Sequence, residues 1–397
     1  MLILKNARIL PELTPGFAEE LADVVVAEGK IAEVLKAGQA RAGSGDEALD
    51  AAGGMLLPGF IDAHVHLDLC GMNTFEENVQ PDAYRVIRAL QLAQDNLRKG
   101  YTTLRDVGDR NDIVIDLAKA VRDGLCVAPD ILASGRILSP TEAGNNFFGD
   151  MYLEADSPAE YTRAVRLQRQ RGADWIKYMG TGAVMNPGGE PGAPIISEEE
   201  LTAMVKAADL AGLPVVGHSH GAGGIKMAIR AGVRTIEHSS LMDDECFSLY
   251  KEFSHRSFIV PTFSPMTFFT EFPEGLPPHY VEKSRKFHKM MIEGMTRAYK
   301  EGLKMGFGTD AGVYAGSHGN GIYEMEARVK YAGITPKDVL IQATRTTAEI
   351  LMIDDKVGTV EPGKKANLVL INGRPDQDIK AAGDVKAVVK DGRVVNV

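Results

Sequence analysis

The middle of the chain alternates short apolar runs with longer segments in which apolar residues recur every three or four positions. Short apolar runs are typical of buried strands, and the longer spacing is that of amphipathic helices. This rhythm predicts an α/β fold in which helices cover a parallel sheet. Eight strands are predicted, at residues 59–64, 102–107, 130–135, 174–179, 214–219, 234–239, 258–263 and 305–310.

Helical spacing extends over residues 158–173 and 197–213, between predicted strands. The second segment opens with Ser197 and Glu200, the spacing of a capping box. The two ends of the chain differ from the middle: short β-type runs separated by glycine and charged turns fill the first fifty and last forty residues. We therefore predict short strands at both ends.

Two long loops are predicted, at 180–194 and 264–280, each directly after a strand. In a barrel of parallel strands this position is the catalytic rim, so we expect both loops to line an active site. Neither loop contains Lys or Arg. The segments TFSPMTFF and NNFFGD are predicted either to form an apolar pocket wall or to anchor their loops.

Composition narrows the class of protein. The 397 residues are 44% hydrophobic and 25% charged, with a formal net charge of −10. Such an acidic chain is not expected to bind nucleic acid. No apolar run is long enough for a membrane span, and the first residues lack the pattern of a signal peptide. With three scattered cysteines, typical of reduced thiols, we expect a cytoplasmic protein without a membrane contact.

Histidines stand at the ends of several predicted strands. His64 and His66 end the first strand, His218 and His220 the fifth, and His238 the sixth. Residues two apart on a strand point to the same side, so each pair can present two imidazoles to one metal ion. The carboxyl ends of barrel strands meet on one face, so we expect these side chains to converge.

Asp310 and Lys177 end the eighth and fourth predicted strands and complete this set. An ammonium beside two divalent ions would be repelled by several kcal/mol at low effective dielectric. Reaction of the neutral Lys177 amine with CO2 gives a carbamate, which can bridge two ions. The alternative is an ammonium paired with a carboxylate at the rim.

These motifs resemble the amidohydrolase superfamily, in its binuclear group with a carboxylated lysine. PGFIDAHVHL, Lys177, His218, His238 and TDAG match the motifs of strands one, four, five, six and eight, in order. GYTTLRDVG and HSHGAGGIKMAIRAGVRTIEHSS are similar to the prolidase-like (Xaa-dipeptidase) and ochratoxinase-like members. The resemblance covers essentially the whole chain. It implies a (β/α)8 TIM barrel at residues 58–354 and a small β-sandwich domain from residues 1–57 and 355–397.

The resemblance also implies two Zn2+ ions, bridged by a hydroxide and the carboxylated lysine. Spacing alone does not settle which histidine of the second pair binds metal. The resemblance favours His218 and places His220 at the substrate carbonyl, while Asp310 would pass a proton to the leaving amine. The implied metal ligands are His64, His66, Lys177, His218, His238 and Asp310.

The implied substrate is a small-molecule amide, an N-acyl amino acid or dipeptide, and the implied assembly is a homo-oligomer. Its carboxylate would need a partner, for which we predict Arg136 or backbone amides of the glycine-rich loop. His318 is predicted as a further substrate contact. Hydrolysis of a cyclic amide, as in imidazolonepropionase-like enzymes, needs the same metals and stays open. A deaminase and a non-enzymatic scaffold fit less well, because the glutamate after His218 is missing and every ligand position is filled.

Overall fold

The computed structural model describes residues 1–71, 74–184, 191–276 and 278–395. Within these ranges, one sheet is built from both ends of the chain, and two parallel sheets are built from its middle. The parallel sheets, with the helices between their strands, confirm the prediction of an α/β fold.

The sheet from both ends has the strand order β17-β16-β15-β5-β1-β2-β3, with β4 paired to β1. Antiparallel pairing places Leu368 of β15 opposite Pro58 of β5 and so joins the two ends of the chain. A separate apolar core, which includes Leu4 and Val24, lies against this sheet. The strands predicted at both ends are therefore present, while domain limits at residues 57 and 355 stay a prediction. The strands are β1 (Leu2–Arg8), β2 (Leu21–Ala27), β3 (Lys30–Lys36), β4 (Glu47–Asp50), β5 (Met55–Pro58), β15 (Leu368–Ile371), β16 (Val385–Lys390) and β17 (Arg393–Val394).

The parallel sheets contain the first seven predicted strands. The third is shorter than predicted: β8 (Asp130–Ala133) pairs with β7 (Tyr101–Asp106), and the chain turns at Gly135 (φ 67°). The strand that follows, β9 (Ile137–Ser139), lies outside the predicted range and pairs with β11 (Ile176–Met179). One sheet has the order β6-β7-β8, and the other has the order β10-β9-β11-β12-β13-β14. The strands are β6 (Phe60–Val65), β7 (Tyr101–Asp106), β8 (Asp130–Ala133), β9 (Ile137–Ser139), β10 (Tyr152–Glu154), β11 (Ile176–Met179), β12 (Val215–Gly221), β13 (Thr235–Leu241) and β14 (Phe258–Val260).

The predicted eighth strand, 305–310, does not form a regular strand, but it is hydrogen-bonded on both sides. The N–H of Gly306 donates to Ile259 O at 2.8 Å, and the N–H of Asp310 donates to His64 O at 2.7 Å. A Cβ at Gly308 would lie 2.8 Å from His64 Cβ, so only glycine allows this close approach. The segment thereby links the outer strands β14 and β6 of the two parallel sheets.

Helices follow most of the parallel strands. The predicted capping box is confirmed at α5, where Ser197 Oγ accepts from Glu200 N at 3.3 Å and Glu200 Oε2 accepts from Ser197 N at 2.8 Å. The helices are α1 (Thr74–Asn78), α2 (Asp82–Arg98), α3 (Ile113–Arg122), α4 (Pro158–Arg171), α5 (Glu198–Ala211), α6 (Ala222–Ala231), α7 (Asp244–Glu252), α8 (Phe263–Glu271), α9 (Pro278–Lys300), α10 (Gly321–Ala332), α11 (Pro336–Ile341) and α12 (Thr347–Leu351), with a π-helical turn at Gln342–Thr346.

The prediction of a long loop at 264–280 was wrong. Residues 264–271 lie in α8, and α9 begins at Pro278. Pro265 lies in the first turn of α8, where a backbone N–H has no partner within the helix, so proline is tolerated there. Of the other predicted loop, residues 185–190 lie outside the described residues, and Thr181 and Pro194 form an isolated bridge at its base.

The structure also bears on the cysteines and on membrane contact. Cys70, Cys126 and Cys246 are free thiols. Among the described residues, none of the helices combines the length and the apolar character that a bilayer crossing requires.

Candidate metal centre

The six predicted metal ligands converge on one cavity at the carboxyl ends of the parallel strands. The cavity, together with the solvent space at its mouth, measures about 740 Å³. All six side chains line it, together with His220. The convergence predicted from strand-end positions is therefore present for His64, His66, Lys177, His218, His220, His238 and Asp310.

One group of ligand atoms is formed by His64, His66 and Asp310. Nε2 of His64 and Nε2 of His66 lie 3.3 Å and 3.5 Å from the same Asp310 oxygen, Oδ1. Burial acts to raise the pKa of Asp310, but the charges of His64, His66 and Lys177 and the hydrogen bond with His64 together outweigh it and lower the pKa to about 2. An ionised carboxylate and two imidazoles thus meet where a cation can bind.

A second group is formed by His218, His220 and His238, whose candidate ligand atoms all lie within 4.8 Å of one another. Burial lowers the pKa of His220 to about 4 and lowers the pKa values of His218 and His238 well below the ordinary value. Neutral imidazoles are the form that binds metal. The geometry leaves both His218 and His220 as candidate partners of His238.

Most of these imidazoles are held by a hydrogen bond at Nδ1. His64 Nδ1 lies 2.6 Å from Glu237 Oε2, and His66 Nδ1 donates to Gly108 O at 2.8 Å. His238 Nδ1 lies 2.7 Å from Thr262 Oγ1. A ring that donates from Nδ1 has a lone pair free at Nε2, which is the arrangement of histidine ligands in metal sites.

The surroundings of His218 Nε2 show whether these residues fit a metal ion. Its Nε2 is buried and has no hydrogen-bond partner within the part of the chain that the structure describes. Burying an unpaired polar atom is unfavourable by about 1–3 kcal/mol. An orphaned imidazole nitrogen among three histidines fits a metal ligand.

Lys177 is 2% exposed, and its side chain faces the cavity. Burial lowers the pKa of its amine to about 8, although the charges of Glu237 and Asp310 oppose this. No ion pair to Lys177 occurs among the residues that the structure describes. The alternative of an ammonium paired with a rim carboxylate therefore lacks a partner.

The backbone is left-handed at two of the candidate ligands. His238 has φ 67° and Asp310 has φ 57°. Side chains of neighbouring residues on a regular strand point to opposite sides, and a left-handed residue breaks this alternation. As a result, both Glu237 and His238 reach toward the interior. Non-glycine residues in this conformation cluster at functional sites.

Sequence analysis missed two buried charged residues, Glu237 and Arg105, which hold the candidate ligand His64 in place. Glu237 accepts from His64, and its other oxygen lies 3.1 Å from Arg105 Nη2. Arg105 also donates to Ala63 O at 2.7 Å and lies over the Trp175 ring at 4.4 Å. Charged residues inside the predicted buried strands TTLRDV and RTIEHS were the available signal.

Asp62 was also missed, and it fixes the first strand to the eighth segment. Its Oδ1 accepts from the backbone N–H groups of His64 and Thr309, at 3.0 Å and 3.1 Å. Its Oδ2 accepts from Thr309 Oγ1 at 2.6 Å. Burial raises the pKa of Asp62 to about 7. These bonds set the positions of His64 and of Asp310, the residue after Thr309.

The two other predicted substrate contacts do not reach the cavity. Arg136 donates to the carbonyls of Asp150 and Tyr152, at 2.8 Å and 2.6 Å, so its guanidinium is directed along β10. His318 Nε2 donates to Leu69 O at 2.9 Å, and its side chain is partly buried. Neither residue is among those that line the cavity, so the structure does not support a substrate contact for them.

The cavity walls away from the ligands are apolar. Pro265, Met266 and Phe269 come from α8, and Phe148 and Met151 come from the segment before β10. TFSPMTFF and NNFFGD therefore both contribute to a pocket wall, one of the two alternatives that the sequence left open.

The fold and this centre define a metal-dependent hydrolase. The chain matches the Amidohydrolase family over residues 55–395, so it belongs to that family. It is 29% identical to ochratoxinase from Aspergillus niger over 364 residues, which span 84% of this chain and 73% of that protein. A solved Xaa-Pro dipeptidase with bound methionine in its active site is similar over all of both chains, with TM-score 0.90 and 29% identity. A solved prolidase complexed with N-methylphosphonate-L-proline covers 99% of each chain, with TM-score 0.87 and 30% identity.

These likenesses confirm the prediction of the prolidase-like and ochratoxinase-like group. The chain is therefore a hydrolase that acts on amide bonds.

Proposed function

We propose that this protein hydrolyses an amide bond of a small molecule with two metal ions held in a closed (β/α)8 barrel. The observation that carries the proposal is the convergence on one cavity of five histidines, Asp310 and Lys177, which has no ion pair among the described residues. Hydrogen bonds on both sides of residues 305–311 support closure of the barrel.

Zinc suits the donor set. Imidazole nitrogen and carboxylate oxygen are ordinary zinc ligands, and burial keeps most of these imidazoles neutral. His64, His66 and Asp310 would hold one ion, and His218 and His238 would hold the other. The orphaned Nε2 favours His218 over His220 as the ligand of the second ion.

Lys177 would hold the two ions together as a carbamate. Its cavity position, its lack of an ion pair and its lowered pKa support this, because only the neutral amine reacts with CO2. Bound zinc supplies one chemical property that the side chains lack: it lowers the pKa of a coordinated water from 15.7 to about 7.

The remaining chemistry belongs to the chain. Asp310, which is ionised at neutral pH, would accept a proton from the attacking water and deliver it to the leaving amine. His220, held by Ser240 Oγ at 2.9 Å from Nδ1, would direct Nε2 toward the substrate carbonyl oxygen as it gains charge. The apolar wall would bind a bulky apolar group. The N-acyl amino acid or dipeptide predicted as substrate is supported by the relatives alone.

Lys177→Ala tests the proposal. We expect the variant to lose the second metal and the hydrolytic activity, because no other side chain would bridge the ions. Metal content by mass spectrometry and hydrolysis of a panel of amides are the measurements. Partial rescue by short carboxylic acids would support a bridging carboxylate. Two bound metals and full activity in the alanine variant would exclude the carbamate.

A further inference from the structure

The part of the cavity that would receive the groups on either side of the amide is lined by apolar side chains. We call this surface the apolar wall, and it consists of Phe148, Met151, Met179, Met266, Phe269 and Met291. Each of these side chains is less than 10% exposed. They come from four separate parts of the chain.

The six residues of the apolar wall carry no charged side chain. Among the described residues that line the cavity, Lys177 and Asp310 are the charged side chains other than histidine, and both belong to the metal centre. The positions outside the described residues contain no Lys or Arg in the sequence. A cation that could pair with a substrate carboxylate would therefore have to come from a described residue outside the lining.

Three arginines between β6 and β10 are already bonded elsewhere. Arg136 donates to the carbonyls of Asp150 and Tyr152. Arg110 lies 2.7 Å from Asp68, and Arg85 lies 3.2 Å from the same carboxylate oxygen. Moving either of the last two into the cavity would leave Asp68, which is fully buried, with less compensation of its charge.

From this charge distribution, and resting on the proposed function, we propose that the substrate is an uncharged amide with apolar groups on both sides, such as an anilide, rather than a peptide with a free carboxylate. Water is consumed, the C–N bond breaks, and a carboxylic acid and an amine form. An ionised carboxylate placed against the apolar wall would lose its hydration without gaining a partner. An aryl or alkyl group would instead bury apolar surface.

The methionines make the wall adaptable. Met151, Met179, Met266 and Met291 are unbranched and can adjust to flat or branched groups. The site should therefore distinguish substrates by charge more strongly than by the shape of the apolar group.

A matched substrate pair tests the proposal on the zinc-loaded full chain. Benzoyl 4-isopropylanilide and benzoyl 4-carboxyanilide differ in charge, while an isopropyl group has nearly the size of a carboxylate. We expect kcat/KM for the neutral anilide to exceed that for the carboxylate by about a hundredfold, because the unpaired charge is unfavourable by several kcal/mol. Equal values, or a preference for the carboxylate, would overturn the proposal and would indicate that backbone amides bind the carboxylate.

The test also separates this proposal from the proposed function. Where the zinc-loaded native protein hydrolyses neither anilide, calorimetric titration of that protein with both anilides measures binding. If the native protein hydrolyses neither anilide but the neutral one binds more tightly, the substrate class stands and the assigned chemistry fails. If neither binds, or if the carboxylate binds at least as well, the substrate class is wrong.

Met266→Lys adds a test by gain of function. It places a cation on the wall, so hydrolysis of the 4-carboxyanilide should rise by about tenfold relative to the neutral anilide. Met266→Leu changes shape without adding charge and should keep the native preference. A melting curve for each variant checks folding, and a folded lysine variant with an unchanged ratio would contradict the assignment of the wall.

Discussion

Glu237 joins the metal centre to the buried interior of the parallel strands. It accepts from His64 Nδ1 on one side and pairs with Arg105 on the other, and all three side chains are fully buried. The carboxylate thus fixes the tautomer and orientation of His64. Because Arg105 is bonded to Ala63 O and Thr235 Oγ1 as well, the pair also connects three strands.

Glu237→Gln should lower zinc affinity by about 10- to 100-fold, because the amide holds His64 less firmly and leaves Arg105 without its counter-charge. Competition with a chromogenic chelator measures this. Glu200→Gln, which alters only the capping box of α5, is the matched control and should keep native affinity. Native zinc affinity in a folded Glu237→Gln would contradict the orienting role.

Thr262→Val is a milder variant of the same kind. It removes the hydroxyl that lies 2.7 Å from His238 Nδ1 and leaves no buried charge behind. We expect zinc affinity to fall by about tenfold, at the lower end of the effect of such partners. If zinc affinity falls more in Thr262→Val than in Glu237→Gln, the Thr262 hydroxyl would matter more than the Glu237 carboxylate, which would contradict this expectation.

His220→Asn separates substrate contact from metal binding. We expect the variant to keep both metals, while kcat falls by about 100- to 1,000-fold, as when one donor to a developing oxyanion is removed. Metal analysis and steady-state kinetics give the two values. Loss of one metal would identify His220, rather than His218, as the ligand.

At the scale of elements, the position of α8 depends on a buried ion pair in α10. Glu324 Oε2 accepts from Ser264 N at 2.7 Å and from Ser264 Oγ at 2.8 Å, at the start of α8. Glu324 Oε1 lies 2.8 Å from Arg328 Nε, and Arg328 donates to Pro261 O and Gly306 O. The Glu324–Arg328 pair therefore fixes the start of α8 relative to the end of β14 and to the segment at 305–310.

Glu324→Gln should disturb the apolar wall, because α8 carries Met266 and Phe269. We expect KM for apolar amides to rise more than kcat falls, and the free energy of unfolding to drop by about 3–5 kcal/mol, as for a broken buried pair. Glu326→Gln, on the same helix, is the control. A loss of stability with unchanged KM would show that Glu324 supports the fold alone.

Much of the fold and the centre could be predicted from sequence, because strand ends in a parallel sheet share one face. This rule located His64, Lys177, His238 and Asp310 without any knowledge of contacts. It could not locate Glu237, because strand alternation directs the neighbour of His238 outward, and the left-handed backbone at His238 removes that alternation. It also did not reveal α8 within the loop predicted at 264–280, although Pro265 stands in the first turn of that helix, where proline is tolerated.

At the scale of the whole molecule, Asp130 links the terminal sheet to the parallel strands. It begins β8 and lies 3.0 Å from both Lys390 Nζ and Lys365 Nζ. Burial acts to raise the pKa of Asp130, but the two lysines outweigh it and lower the pKa below its ordinary value. The ionised carboxylate therefore stabilises the contact between the two parts.

Asp130→Asn should reduce stability by about 1 kcal/mol at neutral pH, since the pair is partly exposed. Because the folded pKa is lowered, the contribution is complete above the unfolded pKa of about 3.9 and is lost as pH falls through the folded value. Urea unfolding of both proteins at pH 7 and below pH 4 measures the difference. A gap that stays constant or widens in acid would contradict this role of the carboxylate.

The pairing of β5 with β15 has a consequence for how the protein is made. During synthesis, residues 55–58 emerge long before residues 368–371, which are their hydrogen-bonding partners. The edge of β5 therefore stays open while some three hundred intervening residues are translated, and an open edge invites pairing with other chains. Nascent chains that stall before residue 368 should accordingly aggregate and recruit chaperones, whereas full-length chains released from the ribosome should not.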